Sequence, residues 1–133
     1  MNSASLAEYG LVEWVPFHPG NERALLARAP RRPGIYVIRW RITAVDLASD
    51  SDLLYIGSAA NQQGLNMRLR QYFHPGPTQR TNKRILEMIS DSTDFEIAFV
   101  VTSGPARAKG LEAELLEQYE RDHRKLPPWN LRR

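Results

Sequence analysis

The 133-residue sequence contains no cysteine. Disulfide frameworks, thiolate metal sites and a cysteine nucleophile are therefore excluded together. Histidine is scarce as well: His18, His74 and His123 are the only three, and they do not sit at metal-ligand spacing. We read His74 as a loop-tip residue and His123 as a cation near a helix carboxyl end. No run approaches the ~20 apolar residues of a membrane-spanning helix. The first five residues show neither a basic start nor a following apolar run, so no signal peptide is expected and the protein is expected to be cytoplasmic. Strong net charge is missing too, since 18 Lys+Arg against 15 Asp+Glu leave +3. That balance alone names no partner.

The remaining composition, 42% hydrophobic and 25% charged, is that of one globular domain with a real core. The basic residues are clustered, at Arg31-Arg32, Arg39/Arg41, Arg68/Arg70, Arg80/Lys83/Arg84 and Arg121/Arg124/Lys125. Such clusters either line a phosphate-binding face or are solvated helix faces and strand ends.

Along the chain, residues up to about Gly10 read as a frayed lead-in. Residues 11–17 read as a short apolar arm, with Trp14 and Phe17 at the core edge, and residues 22–28 as a short helix ended by Pro30 and Pro33. From 35 to 42, Tyr36, Ile38, Trp40 and Ile42 alternate with Ile35, Val37, Arg39 and Arg41, which predicts a strand. An acidic connection, 43–52, leads to a returning antiparallel strand at 53–57. Residues 65–73 predict a helix with Leu65, Leu69, Tyr72 and Phe73 inward, and 78–90 a second one, apolar at Ile85, Leu86, Met88 and Ile89 and basic on its other side. The run 95–101 is apolar on both faces and predicts a central strand covered by helices. A last helix starts near Ser103-Gly104-Pro105 and runs to about His123. It carries two stripes: Leu111, Leu115 and Tyr119 as a core face, and Ala106, Gly110, Ala113 and Glu117 as a small-residue face that would bring Glu117 close to a sheet edge.

The chain is organised around the stretch from Gly34-Ile35-Tyr36 to Tyr55-Ile56-Gly57, two strands whose tyrosines can project towards one surface, followed by a basic helix carrying Arg68. Each residue has an ordinary explanation when taken singly. Tyr36, Tyr55 and Tyr72 fit core packing, Arg68 and Glu117 fit helix surface charges, and Asn130 fits a turn after Pro127-Pro128. Their joint arrangement points to a site.

These residues together resemble the GIY-YIG endonuclease family, which includes homing endonucleases and the incision subunit of bacterial nucleotide excision repair. The resemblance covers about residues 33–130. It implies an α/β fold of α+β type, a small three-stranded antiparallel sheet flanked by helices, with residues 31–133 as the nuclease-like domain and 1–30 as an amino-terminal arm packing on it. Carried over by position, Tyr36 and Tyr55 are the motif tyrosines, Arg68 the motif arginine, Tyr72 the aromatic one turn later, Glu117 the ligand of a single divalent ion, Mg²⁺ or Mn²⁺, and Asn130 the terminal asparagine. The sequence departs from the family in a longer loop between Gly57 and Arg68 and in Ser58, where repair-type members often have lysine. The Glu117 to Asn130 stretch is also one residue longer.

Phosphodiester hydrolysis needs an activated water, neutralisation of charge on the phosphate and help for the departing oxygen. A carboxylate holding a hydrated divalent ion, a planar arginine fork and a tyrosine acting as base supply those needs. The expected function is therefore a metal-dependent endonuclease acting on DNA, in repair or restriction, with Tyr55 as base, Tyr36 orienting water or phosphate, and Arg70, Arg80, Lys83 and Arg84 binding the nucleic acid. The alternatives are a non-cleaving nucleic-acid-binding module of the same fold and, more weakly, a structural or interaction domain. Residues 1–30 are expected to leave no room for a separate DNA-binding domain. Target choice is accordingly expected to come from a structured or branched substrate, from a homodimer or from a targeting partner.

Overall fold

A computed structural model describes residues 1–41 and 51–131 of the chain. The acidic connection expected at 43–52 and the strand end at Ile42 lie almost wholly outside the described residues. In order, the chain forms a 3₁₀ segment at Ala4–Tyr9, strand β1 (Val15–Pro16), a second 3₁₀ turn at Pro19–Asn21, helix α1 (Glu22–Arg28), strands β2 (Gly34–Trp40) and β3 (Leu53–Ala59), helices α2 (Gly64–Phe73) and α3 (Arg80–Ser90), strand β4 (Phe95–Val101) and helix α4 (Pro105–His123). No helix among the described residues is long and apolar enough to cross a membrane.

The sheet has four antiparallel strands in the order β1-β4-β2-β3, not the three expected. The extra strand comes from the amino-terminal arm, where Val15 pairs with Ile97 and Pro16 with Glu96. A proline within a two-residue strand left no alternating signal to read, and its missing N–H is tolerated because the strand is an edge. Similarly, the expected frayed lead-in is ordered: Leu6 is fully buried, packed with Leu11 against the α4 side of the sheet. As expected, β4 lies inside the sheet, between β1 and β2, and β2, whose residues Gly34 to Ile38 are all buried, is the other interior strand.

Alternation along β2 divides the core. Tyr36 and Ile38 face Leu25 of α1, Leu65, Leu69, Tyr72 and Phe73 of α2, and Ile85 and Ile89 of α3. Ile35 and Val37 face Leu111, Leu115, Leu116 and Tyr119 of α4. Each such fully buried aliphatic contributes about 1.5–3 kcal/mol relative to exposure, so the inward stripes of α2 and α4 hold both layers on the sheet. Strand β3 remains as the outer edge next to β2, with a register shift opposite Ile38/Arg39. A bulge of this kind re-aims side chains at a strand edge.

Helix α4 begins with Pro105 in its first turn and ends at Arg124 in the left-handed conformation, φ 62°. Its stripe of Ala106, Gly110, Ala113 and Glu117 is exposed, contrary to expectation. A Cβ added at Gly110 would meet nothing within 4 Å. The small side chains therefore mark the solvent face of α4, and of its alanines it is Ala108 that is fully buried.

Candidate active site at the edge of strand β3

Tyr36 of β2 and Gly57 of β3 are cross-strand partners. The tyrosine ring lies directly over the glycine, where an added Cβ would stand 2.6 Å from the ring Cζ and hydroxyl and 2.8 Å from Cε1 of Tyr55. Gly57 is thus a steric requirement of the two rings. Tyr36 and Tyr55 stack with centroids 6.0 Å apart and planes at 22°, and Tyr72 of α2 meets both edge-on, at 5.8 Å and 6.4 Å. The hydroxyls of Tyr36 and Tyr72 share a 2.6 Å hydrogen bond, and Phe17 from the arm closes the far side against Tyr72.

Burial sets the chemistry of these phenols. Tyr36 and Tyr72 are 1% exposed. Desolvation, followed by neighbouring phenols, pushes both pKa values well above the ordinary 10, and Arg68 only partly opposes this at Tyr36. Both hydroxyls stay protonated. Tyr55 is only half-buried and lines a cleft. Because folding favours the neutral form of Tyr36 and Tyr72, their contribution to stability is complete below pH ~10 and is lost as pH rises towards their folded pKa values. In an alkaline spectrophotometric titration we expect these two phenols to ionise only as the protein unfolds. Smooth titration of all five tyrosines near pH 10, with the fold intact, would contradict this burial.

Arg68 of α2 is half-buried, its Nε donating to the Ser58 carbonyl at 3.4 Å. Desolvation works against its charge, but Tyr36, Tyr72, Tyr55 and Glu112 more than offset that and its pKa is raised. Beside it, the Ser58 hydroxyl donates to Glu112 Oε1 at 2.6 Å. Glu112 is a half-buried residue of α4, set beside the buried stripe of Ala108, Leu111 and Leu115.

Glu117, the expected metal ligand, stands elsewhere on α4. Its side chain is 60% exposed and accepts from Arg121 at 3.5 Å, one turn along the helix surface. The carboxylate that α4 brings to the tyrosines and Arg68 is Glu112, which also contributes to the electrostatics of Tyr36. A sequence signal existed: Glu112 lies four residues after Ala108 and three before Leu115, on the flank of the core stripe, whereas Glu117 lies one turn after Ala113 and Glu114, which face solvent.

Asn130 reaches the same edge by an unexpected route. Its side-chain amide accepts from Ile56 N–H and donates to Ile56 C=O, both at 3.0 Å, and Trp129 N–H donates to Leu54 C=O at 2.8 Å. The chain after Pro127-Pro128 therefore pairs with the outer side of β3 much as another strand would, holding the bulged segment with Tyr55. A cleft of about 460 Å³ opens beside it, lined by Tyr55, Arg68, Tyr72, Thr81, Asn82, Trp129, Asn130 and Leu131. Thr81 and Asn82 belong to the first turn of α3, so the exposed Arg80, Lys83 and Arg84 stand on the helix bordering the cleft. Arg70 is also exposed, and its guanidinium donates to Asn66. By contrast, the Arg39/Arg41 cluster serves the fold: Arg39 pairs with Glu96 at 2.8 Å and lies 4.2 Å over the Trp14 ring, and Arg41 meets Asp94 at 3.7 Å.

An α+β domain that gathers three tyrosines, an arginine and one carboxylate at a sheet edge has the arrangement of a small nuclease domain. No family profile matches the chain. Over 95 residues, 71% of its length, it is 33% identical to UvrABC system protein C of Microcystis aeruginosa, and over 102 residues, 77%, it is 35% identical to UvrABC system protein C of Synechococcus elongatus. The chain spans 13% and 14% of the length of these relatives. Among solved structures, the GIY-YIG N-terminal endonuclease domain of UvrC from Thermotoga maritima, bound to its catalytic divalent cation magnesium, superposes with a TM-score of 0.51 at 26% identity, covering 84% of this chain and 97% of that one. The chain belongs to the GIY-YIG nuclease family.

Proposed function

We propose that this chain is a metal-dependent endonuclease hydrolysing phosphodiester bonds in DNA, working in the cytoplasm. The observation that carries the reading is the meeting of Tyr55 and Arg68 in an open cleft at the edge of β3, with the Glu112 carboxylate of α4 held on Ser58 of the same strand. The similarity to a magnesium-binding endonuclease domain and to UvrABC system protein C supports it.

The donor set fits a single hard cation. Among the described residues no three His, Cys, Asp or Glu side chains gather as a metal cluster, which speaks against a zinc-type site. One half-buried carboxylate, Glu112, held by the Ser58 hydroxyl, suits Mg²⁺ or Mn²⁺, ions that keep several waters and bind through one or two carboxylates plus substrate phosphate. When bound, such an ion supplies charge neutralisation on the phosphate and acidifies water.

The remaining roles follow from this chain's own groups. Arg68, permanently charged and held by the Ser58 carbonyl, presents its fork to phosphate oxygens. Tyr55, as the phenolate that the nearby Arg68 charge favours, takes the proton from the attacking water and becomes the neutral phenol. The protonated Tyr36 and Tyr72 pair forms a rigid floor that fixes the Tyr55 ring by stacking. Asn130, with both amide groups committed to Ile56, acts as a positioning residue for β3.

DNA reaches the site over α3. Arg70, Arg80, Lys83 and Arg84 offer a handful of phosphate contacts, which give weak, salt-sensitive and sequence-independent affinity. Reversing Lys83 and Arg84 to Glu is expected to weaken binding across all sequences and to flatten its salt dependence. Unchanged affinity and salt slope, measured by fluorescence anisotropy, would move the DNA path elsewhere. Target choice then comes from the shape of a structured substrate, from self-association or from a partner protein. Incubation with supercoiled plasmid and branched oligonucleotides in Mg²⁺, Mn²⁺ and EDTA tests the function: metal-dependent nicking supports it, and binding without nicking in any metal would instead establish a non-cleaving module.

A further inference from the structure

The cleft beside Tyr55 has a chemistry that phosphate binding does not use. Its volume, about 460 Å³, falls within the ~300–1,000 Å³ of small-molecule pockets, enough for one nucleotide and far too little for a duplex. One wall is the half-buried indole of Trp129, placed by its backbone bond to Leu54 and by packing on Phe95, whose ring centroid is 5.0 Å away. The lining also includes Thr81, Asn82 and Arg68. Asn82 is buried, and its amide donates to Gln79 Oε1 at 3.2 Å. An aromatic side chain, hydrogen-bonding groups and a guanidinium in one cleft are what a nucleobase attached to a phosphate requires.

We propose that this cleft receives one unstacked nucleobase next to the bond that is cut, its face against Trp129 and its edge towards Thr81 and Asn82, so that the substrate is DNA carrying an unpaired nucleotide. The inference rests on the reading of this site as DNA-cleaving and gives that reading a substrate class. A base inside a paired duplex is stacked on both faces and cannot present one to Trp129. An unpaired base has already lost much of that stacking, so it enters at lower cost.

The test uses binding in EDTA, so that DNA stays intact. In a Trp14→Phe, Trp40→Phe protein, Trp129 is the sole tryptophan and its emission reports the cleft directly. Three probes of the same sequence are compared: a fully paired duplex, that duplex with one bulged thymine, and a single strand. The expected result is saturable quenching of Trp129 by the bulged and single-stranded probes and little by the paired duplex. Trp129→Leu in the otherwise native chain, checked for folding by circular dichroism, should lose about tenfold to a hundredfold in affinity for the bulged probe while binding the paired duplex as before. Equal quenching and affinity for paired and unpaired probes would overturn the inference while leaving the DNA reading standing. Preference for the bulge that survives Trp129→Leu would place the unpaired base elsewhere and also overturn it. Failure to bind any of the three probes would overturn both.

Discussion

Glu112→Gln is expected to abolish metal-dependent cleavage, with a loss on the order of a thousandfold, while Glu117→Gln cuts like the native protein. The amide oxygen that replaces the carboxylate can still accept from the Ser58 hydroxyl, so the position keeps its hydrogen bond and the fold is preserved. What disappears is the negative charge that attracts a divalent ion. Loss of an ion that stabilises the phosphate costs several kcal/mol of transition-state stabilisation, and about 4 kcal/mol corresponds to three decades. DNA binding is expected to survive, since the exposed basic residues of α3 are untouched. Glu117 serves as the control because it lies on the same helix, 60% exposed and engaged only with surface charge in Arg121. Equal loss in both variants would mean that α4 acts through its overall charge and not through one carboxylate.

Tyr55→Phe is expected to cost two to four orders of magnitude in cleavage rate, the usual span for removal of a general base. The ring remains, so stacking on Tyr36 and the edge contact with Tyr72 persist and stability should change little. Tyr36→Phe should lose less in rate and more in stability. Its hydroxyl is buried and bonded to Tyr72, and removing it leaves Tyr72 with Tyr55 as its remaining phenol partner, at a cost of about 1 kcal/mol. Parallel rate measurements and thermal melts separate the two. A larger rate loss in Tyr36→Phe than in Tyr55→Phe would exchange the roles assigned here.

Much of this architecture was legible from periodicity. The inward residues of α2, Leu65, Leu69, Tyr72 and Phe73, are all buried, as their spacing required, and so are Leu111, Leu115 and Tyr119 of α4. Those positions repeat a helical period and meet a core, so pattern and packing agree. The failures share a different cause. Val15–Pro16 joins the sheet through backbone pairing alone, which leaves no side-chain pattern. The stripe containing Glu117 had the correct period but an ambiguous meaning, because small residues suit either a close helix contact or an indifferent solvent face. The structure turns that stripe to solvent, buries Ala108 on another row, and holds Glu112 on Ser58 of β3. Asn130, assigned to the site from the family motif, lines the cleft, and the route by which it does so, its amide paired with the β3 backbone, was not legible. That bond depends on the path of the chain after the prolines, which residue type alone does not fix. Trp129 carried no signal beyond its neighbour.

Whether Glu112 holds the ion that cutting needs is decided by Mn²⁺ binding, followed by electron paramagnetic resonance alongside plasmid nicking in the same solutions. One ion per chain is expected in the native protein and in Glu117→Gln, with nicking rising in step with occupancy, and loss of both in Glu112→Gln. Full Mn²⁺ occupancy and undiminished nicking in Glu112→Gln would contradict it.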